Sequence, residues 1–471
     1  MLGPSSKPYG TQASSSNGAE YEPLNASDDV TIADSDDVEQ QSRRSSLEGS
    51  TMHSRADEVP FSRLEYAIFL LLGVAMLWAW NMFLAAAPYF AARLAASPSI
   101  QATFQPSILA VSTVTNLVVM LVLSNMQSKA SYPLRINLAL SVNMLVFVFL
   151  TGSTVLLAHA TPKVYLGFVL VMVCLSSWAT GLIQNGAFAF AASFGRSEYM
   201  QALMAGQGIA GVLPPLTQIF SVLAYPPSTK ESDGGEDQAS AFLYFITAVI
   251  LSLGTLIAFI PLSKRHAQIV ERRLTAEMAG SVASVEEAEQ AARKPVSLLR
   301  LFSKLRWLAL GLILTFTETM FFPVFTSKIL SVNDGPNAGA LFHPAAFIAF
   351  AFLFWNIGDL SGRLATSLPF SLGDRPFLLF LLSVARAAYI LLYLLCNIGG
   401  RGAIVPSDAF YLVVVQLIFG LTNGWLGASC MMAAGDYVED EEREAAGGFM
   451  GLCLVIGLAA GSFLSFTVAG V

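Results

Sequence analysis

From residue 64 to its end, the chain repeats one pattern, a long apolar run followed by a short polar break. An α-helix of about 20 apolar residues is long enough to cross the hydrocarbon layer of a bilayer, and it satisfies its own backbone hydrogen bonds there. We therefore expect an all-α polytopic membrane protein with eleven transmembrane helices. The runs lie at residues 64–88, 104–125, 134–158, 164–194, 199–224, 239–262, 305–330, 344–367, 376–397, 409–434 and 445–469.

The composition agrees with this interpretation and excludes several other classes of protein. Hydrophobic residues make up 54% of the chain and charged residues 13%, so a water-soluble domain of this size would expose a large apolar surface. No pair of Cys or His residues has the spacing of a metal site. We expect contact with membrane lipid, no metal or cofactor, no enzymatic activity and no nucleic-acid partner.

The spacing of the apolar runs divides the chain into four parts. Residues 1–62 are rich in Ser, Asp, Glu and Gly, a composition that predicts a disordered tail. Residues 63–262 hold six of the runs, residues 305–471 hold five, and residues 263–304 form a charged linker between these two bundles. This six-plus-five layout resembles the major-facilitator arrangement, which implies that one bundle rocks against the other.

Charges in the loops predict the orientation in the membrane. Lys and Arg concentrate on the side of the tail, above all between Lys264 and Arg306, and such loops stay in the cytosol. The N-terminus is therefore predicted to be cytosolic. In the tail, Tyr21-Glu22-Pro23-Leu24 fits the Tyr-x-x-Φ pattern of sorting adaptors, which favours a vacuolar or lysosomal membrane, with the plasma membrane as the alternative.

One apolar run carries an amide, an acid and a base on a single helical face. Asn356, Asp359 and Arg363 are spaced three and four residues apart, which aligns them on an α-helix. A charge at the bilayer centre costs at least about 2.5 kcal/mol, so it is retained where it meets a partner, a water-filled cavity or a bound molecule. Either Asp359 and Arg363 neutralise each other within the bundle, or they line a binding cavity.

Three further side chains within apolar runs are candidates for a functional role. Trp80 in the first run either anchors the membrane interface or contacts a bound molecule. Gln184 in the fourth run can donate and accept hydrogen bonds together, which suits the edge of a heterocyclic base. Glu318 in the seventh run is either a proton-carrying carboxylate or an acid paired with Arg386.

Taken together, these stretches resemble the equilibrative nucleoside transporters, and the chain is similar to fungal-type members. The resemblance covers nearly all of residues 64–471. It rests on the Asn-x-x-Asp-x-x-x-Arg element that ends at Arg363, and on Gly-Leu-Thr-Asn-Gly-Trp at residues 420–425. It implies alternating-access transport of purine and pyrimidine nucleosides, with nucleobases as further candidates, by a facilitative or proton-coupled mechanism. A sugar or drug carrier of the major-facilitator type is the alternative.

The resemblance also implies roles for the polar residues. Asp359 and Arg363 would contact the ribose hydroxyls of a nucleoside permeant, with Asn356 on the same face. Trp80 and Gln184 would contact the base. Stacking on an aromatic ring and hydrogen bonding to a carboxylate are both suited to such a molecule.

Two gates complete the predicted transport cycle. By resemblance, Leu84 and Pro323 form an outer constriction. Among the acids between residues 436 and 444, Glu439 is predicted to pair with Arg135 as an inner gate, unless this acidic cluster is simply a solvated loop. Glu318 is the residue through which proton coupling would act.

Overall fold

The computed structural model describes residues 60–126, 131–157, 160–224, 234–280, 296–335, 339–369, 371–465 and 467. The predicted sorting signal at Tyr21 lies outside these described residues. Val59–Val471 form one compact unit.

Eleven helical rods follow one another along the described chain. They are α1 (Arg63–Leu94), α2 (Pro98–Asn125), α3 (Tyr132–Leu156), α4 (Pro162–Ser193), α5 (Ser197–Ala224), α6 (Gly234–Gly280), α7 (Leu298–Thr326), α8 (Pro344–Ala365), α9 (Pro376–Tyr393), α10 (Phe410–Tyr437) and α11 (Arg443–Ser465). Within these described ranges, the β pairing is one isolated bridge between Ile329 and Ile398. The predicted all-α architecture is confirmed.

Several rods change their helical geometry along their length. α1 breaks between Arg63–Ala85 and Ala87–Leu94, and α7 breaks between Leu298–Thr319 and Phe321–Thr326. Pro88 and Pro323 lie just after these breaks, and a proline cannot donate a hydrogen bond to the preceding turn. α10 begins as the π-helix Phe410–Leu417 and continues as the α-helix Ile418–Ala433.

Nine of the rods in the described part of the chain are long and apolar enough to cross a membrane. α5 and α8 are not among these nine, and both carry polar side chains of the candidate site described below. A polytopic membrane protein is confirmed, while the number of eleven crossings stays a prediction. The division at residues 262 and 305 also stays a prediction. In the structure, α6 remains helical to Gly280 and α7 begins at Leu298.

The apolar cores distinguish the two ends of the bundle. We call the end at which α1 begins the proximal end and the other the distal end. At the proximal end, one core contains Phe69 and Phe188 from the N-terminal half (α1 to α6) together with Phe449 from the C-terminal half (α7 to α11). At the distal end, the N-terminal half has a core around Phe147, and the C-terminal half has another around Phe419. The halves therefore share a large core at the proximal end. At the distal end each half has a core of its own, and a small cluster of Ile219 on α5 with Ala349 and Leu353 on α8 joins the halves there.

α8 and α10 cross with their backbones nearly in contact. Gly358 and Gly362 on α8, and Gly420 and Gly424 on α10, lie at this crossing. A Cβ added at Gly424 would be 1.8 Å from the carbonyl oxygen of Asp359, a distance that only glycine permits. Small residues four positions apart allow this approach between membrane helices. The crossing fixes Asp359 beside α10.

We expect Gly424→Ala to destabilise the protein, because the added methyl group would overlap the Asp359 carbonyl group. Overpacking of this kind costs about 1–3 kcal/mol, measurable as a lower unfolding midpoint of the purified protein in detergent. Gly435→Ala is the matched control, since nothing lies within 4 Å of a Cβ at Gly435. Equal midpoints for the two variants would contradict this helix crossing.

Candidate functional site

Asp359 and Arg363 form an ion pair inside the bundle. Arg363 Nε donates to Asp359 Oδ2 over 2.7 Å, and each side chain is 6% exposed. Two charges taken out of water need close geometry and additional hydrogen bonds to offset the loss of solvation. The positions of those additional bonds show where the pair lies in the bundle.

Arg363 reaches across to the N-terminal half. Its Nη1 donates to the carbonyl oxygen of Met204 over 2.9 Å and to Gln207 Oε1 over 3.2 Å, both on α5. Gly208 allows this approach, because a Cβ there would lie 3.2 Å from Arg363 Cδ. The pair therefore lies at the interface between the two halves.

Asp359 is held from within the C-terminal half. Asn423 Nδ2 on α10 donates to Asp359 Oδ1 over 2.7 Å. Among the described residues, each carboxylate oxygen thus accepts one hydrogen bond, and Arg363 Nη2 makes none. A carboxylate oxygen can accept more than one such bond, so both groups retain capacity for a bound hydroxyl.

A second buried ion pair lies beside the first. Arg386 Nη1 on α9 is 3.5 Å from Glu318 Oε2 on α7. Glu318 Oε1 has no hydrogen-bond partner within the described part of the chain. Arg386 Nη2 donates to Asn423 Oδ1 over 3.3 Å. Asn423 therefore joins the two ion pairs.

Trp80 lies close to the first pair along α1. Gln207 Nε2 approaches the sulfur of Met76 at 2.8 Å, and Trp80 follows Met76 by four residues, about one helical turn. Since Gln207 also binds Arg363, Trp80 lies about one turn to the distal side of the ion pair.

Gln184 and Asn356 make no hydrogen bond to the pair. Gln184 is buried in the N-terminal half, where its Oε1 accepts from Asn116 Nδ2 over 3.2 Å. Asn356 Nδ2 donates to the Phe352 carbonyl oxygen of its own helix over 2.8 Å, and its Oδ1 lies 2.5 Å from the position of a Cβ at Gly211. Asn356 is therefore at the interface between α5 and α8, whereas Gln184 is within its own half.

Gln207 and Asn423 contact the pair but were not predicted as site residues. Both are buried amides that interrupt apolar runs. A polar side chain in such a run needs a partner, and this signal could have identified them from the sequence.

Arg135 and Glu439 do not pair with each other in this structure, and their role as an inner gate stays a prediction. Arg135 donates to Asn185 Oδ1 on the neighbouring α4. Glu439 lies 3.1 Å from Lys304 Nζ and 3.5 Å from Arg300 Nη2. Arg135 is bound by α4. Glu439 is bound by the start of α7, which lies beside the acidic cluster.

Other residues join the halves at the proximal end. Arg443 Nη1 on the C-terminal side lies 2.7 Å from the position of a Cβ at Gly195, in the turn between α4 and α5. Gly195 has a φ of 68°, a conformation that favours glycine. His266 Nε2 on α6 lies 3.9 Å from Glu444 Oε1 on α11. These contacts, rather than the predicted pair, join the halves beside the shared core at the proximal end.

At the distal end the two residues of the predicted outer constriction are not buried. Leu84 is 54% exposed, and Pro323 is half-buried. Each half has its own core at this end, and the cluster of Ile219 with Ala349 and Leu353 is the smaller apolar contact between them. The larger shared core lies at the proximal end.

Comparison with known proteins identifies the family. Residues 170–469 match the nucleoside transporter family. The chain belongs to this family. The nucleoside transporter FUN26 of Saccharomyces cerevisiae is 28% identical over 446 residues, covering 86% of this chain and 83% of that protein. Equilibrative nucleoside transporter 2 of Homo sapiens is 27% identical, covering 84% of this chain and 95% of that protein. The resemblance drawn from the motifs is confirmed, and the family is one of transporters rather than enzymes.

Solved structures agree with the predicted fold of this nucleoside transporter. FucP, a major facilitator superfamily transporter, superimposes with a TM-score of 0.50 at 12% identity, over 86% of this chain and 95% of that one. The proton:xylose symporter XylE gives a TM-score of 0.56 at 12% identity, over 86% of each chain. At this identity the likeness concerns the fold alone, so it confirms a major-facilitator-like architecture and gives no support to a sugar permeant.

Proposed function

We propose that this nucleoside transporter binds its permeant between the two halves, with Asp359 and Arg363 holding the ribose hydroxyls. One observation carries this proposal: the pair lies at the interface of the halves and keeps hydrogen-bonding capacity on both carboxylate oxygens and on Arg363 Nη2. Each ribose hydroxyl donates and accepts, so a carboxylate beside a guanidinium matches two adjacent hydroxyls.

Trp80 and Gln184 are proposed to contact the base. Trp80 is about one turn from the ion pair along α1, and an aromatic face stacks on a planar base. Gln184 Oε1 is bound to Asn116, while its Nε2 makes no hydrogen bond to any described residue and could donate to a base. Asn356, at the interface of α5 and α8, is proposed to lie beside the ribose.

Asp359→Asn and Arg363→Ala are each expected to remove most uptake of labelled uridine and adenosine into reconstituted vesicles. Each substitution removes a hydrogen bond between a charged group and the ribose, worth about 1.5–3 kcal/mol, which corresponds to about 10-fold to 150-fold in binding. Nucleoside-induced thermal stabilisation of the purified variants tests binding directly.

Asp408→Asn is the matched control for these variants. Asp408 is also a buried acid of the C-terminal half, and it accepts hydrogen bonds from Ser331 and Asn333, away from the pair. Normal uridine uptake by both Asp359→Asn and Arg363→Ala would refute the proposed site. Competition by labelled sugars instead of nucleosides would favour the sugar-carrier alternative.

Transport by alternating access is proposed to open the proximal end as Leu84 and Pro323 approach each other at the distal end. With the N-terminus in the cytosol, the distal end faces away from the cytosol. In a Cys174→Ser background, Leu84→Cys should react with a membrane-impermeant thiol reagent added on the non-cytosolic side of sealed membranes. Saturating nucleoside should slow this reaction, and labelling from the cytosolic side alone would contradict the orientation.

The protein is an integral multi-pass membrane protein. The choice between a vacuolar or lysosomal membrane and the plasma membrane stays a prediction, as does sorting through residues 21–24.

Proton coupling is a second feature that one observation favours. Glu318 is buried, it is 3.5 Å from Arg386, and its Oε1 has no partner among the described residues. A buried carboxylate that is only half satisfied is costly in its charged form, and a proton removes that cost. We propose that Glu318 carries the coupled proton.

We expect Glu318→Gln to flatten the pH dependence of uridine uptake, since the amide cannot exchange a proton. Glu65→Gln serves as the control, because Glu65 is a buried acid held 2.8 Å from Arg265 at the proximal end. The proposal fails if Glu318→Gln keeps the wild-type pH profile.

A further inference from the structure

Asn423 lies between the two buried ion pairs and touches one charge of each. Its Nδ2 donates to Asp359 Oδ1 over 2.7 Å, and its Oδ1 accepts from Arg386 Nη2 over 3.3 Å. We propose that Asn423 is a positioning residue that orients the Asp359 carboxylate toward the ribose hydroxyls. This inference rests on the proposed function and adds a residue to its ribose specificity.

The chemistry of its neighbours leaves the Asn423 amide a single orientation. A guanidinium has only donors and a carboxylate has only acceptors, so the amide oxygen must face Arg386 and the amide nitrogen must face Asp359. The Thr319 hydroxyl lies 2.5 Å from the same amide oxygen. A flipped amide would place its donors against Arg386 and its oxygen against the carboxylate.

Arg386 is itself fixed independently of Asn423. Its Nε donates to Thr422 Oγ1 over 3.1 Å, and its Nη1 donates to the carbonyl oxygen of Thr315 over 3.0 Å. The guanidinium carbon lies 4.5 Å from the centre of the Phe419 ring. Arg386 is therefore a rigid support that can hold the amide in place.

Asp359 needs this second contact because the outer torsion of an aspartate is broad. A carboxylate held by one partner can rotate about that torsion at little cost. Arg363 holds Oδ2 from the same helix, and Asn423 holds Oδ1 from α10. The crossing at Gly424 keeps the two helices at the distance that this hydrogen bond requires. Together the two contacts fix which lone pairs face a bound ribose.

The test compares two ligands that differ only in the ribose hydroxyls. Dissociation constants for uridine and for 2′,3′-dideoxyuridine are measured from ligand-induced thermal stabilisation of the purified proteins, because Asp359→Asn is expected to lose most uptake. The wild-type protein should prefer uridine. In Asn423→Leu that preference should fall about 10-fold, the size expected for one hydrogen bond to a charged group. A general folding defect would lower the amount of folded protein without changing the ratio of the two constants.

Gln416→Leu is the matched control. Gln416 is another buried amide on α10, and it binds Thr326 and Tyr411 within the C-terminal half. Its removal should leave the ratio of dissociation constants unchanged. Where Asn423→Leu does not reach the membrane, Asn423→Asp keeps the size of the side chain and faces Asp359 with a like charge, so it should lower the ratio as well.

The outcomes separate this inference from the proposed function. A ratio that collapses in Asp359→Asn and in Asn423→Leu, but not in Gln416→Leu, supports the positioning role. A ratio that collapses in Asp359→Asn and is unchanged in both Asn423 variants overturns the inference and leaves the ribose site in place. An unchanged ratio in Asp359→Asn overturns the ribose site itself.

Discussion

The burial of Asp359 and Arg363 is the constraint on which the rest of the site depends. Neither charge has enough partners on its own helix. Arg363 therefore donates hydrogen bonds to the Met204 carbonyl group and to Gln207 on α5. Asp359 accepts a hydrogen bond from Asn423 on α10. Satisfying one ion pair in this way ties α8 to a helix of each half. A site between two moving halves is built from groups that must also hold those halves together.

The second ion pair keeps the charges around the site balanced. Asp359 and Glu318 contribute two acids, and Arg363 and Arg386 contribute two bases, so the four groups sum to zero. A neutral nucleoside adds no charge to this set and can replace or share hydrogen bonds without leaving an uncompensated ion. The amide of Asn423 is suited to the junction because one of its ends faces a base and the other faces an acid.

The packing of the halves explains how such a site can be reached from one side at a time. The largest shared apolar core lies at the proximal end, whereas the distal end has a core in each half and a small cluster around Ile219 and Leu353 between them. Polar contacts, such as that between Arg443 and the turn at Gly195, accompany the shared core. A limited set of polar contacts over a common core can be exchanged for a different set when the halves rock.

The sequence by itself determined the helical membrane architecture, the break between the apolar runs 164–194 and 199–224, and the alignment of Asn356, Asp359 and Arg363, because hydropathy, breaks and helical spacing are local properties of the chain. Only the tertiary structure decided which groups meet. It paired Glu439 with Lys304 rather than with Arg135, placed Gln207 and Asn423 on the ion pair, and kept Gln184 bonded to Asn116. A polar residue in an apolar run requires a hydrogen-bond partner, and the sequence shows that requirement. The choice of partner depends on helix crossings between residues distant in the chain, such as the crossing at Gly424.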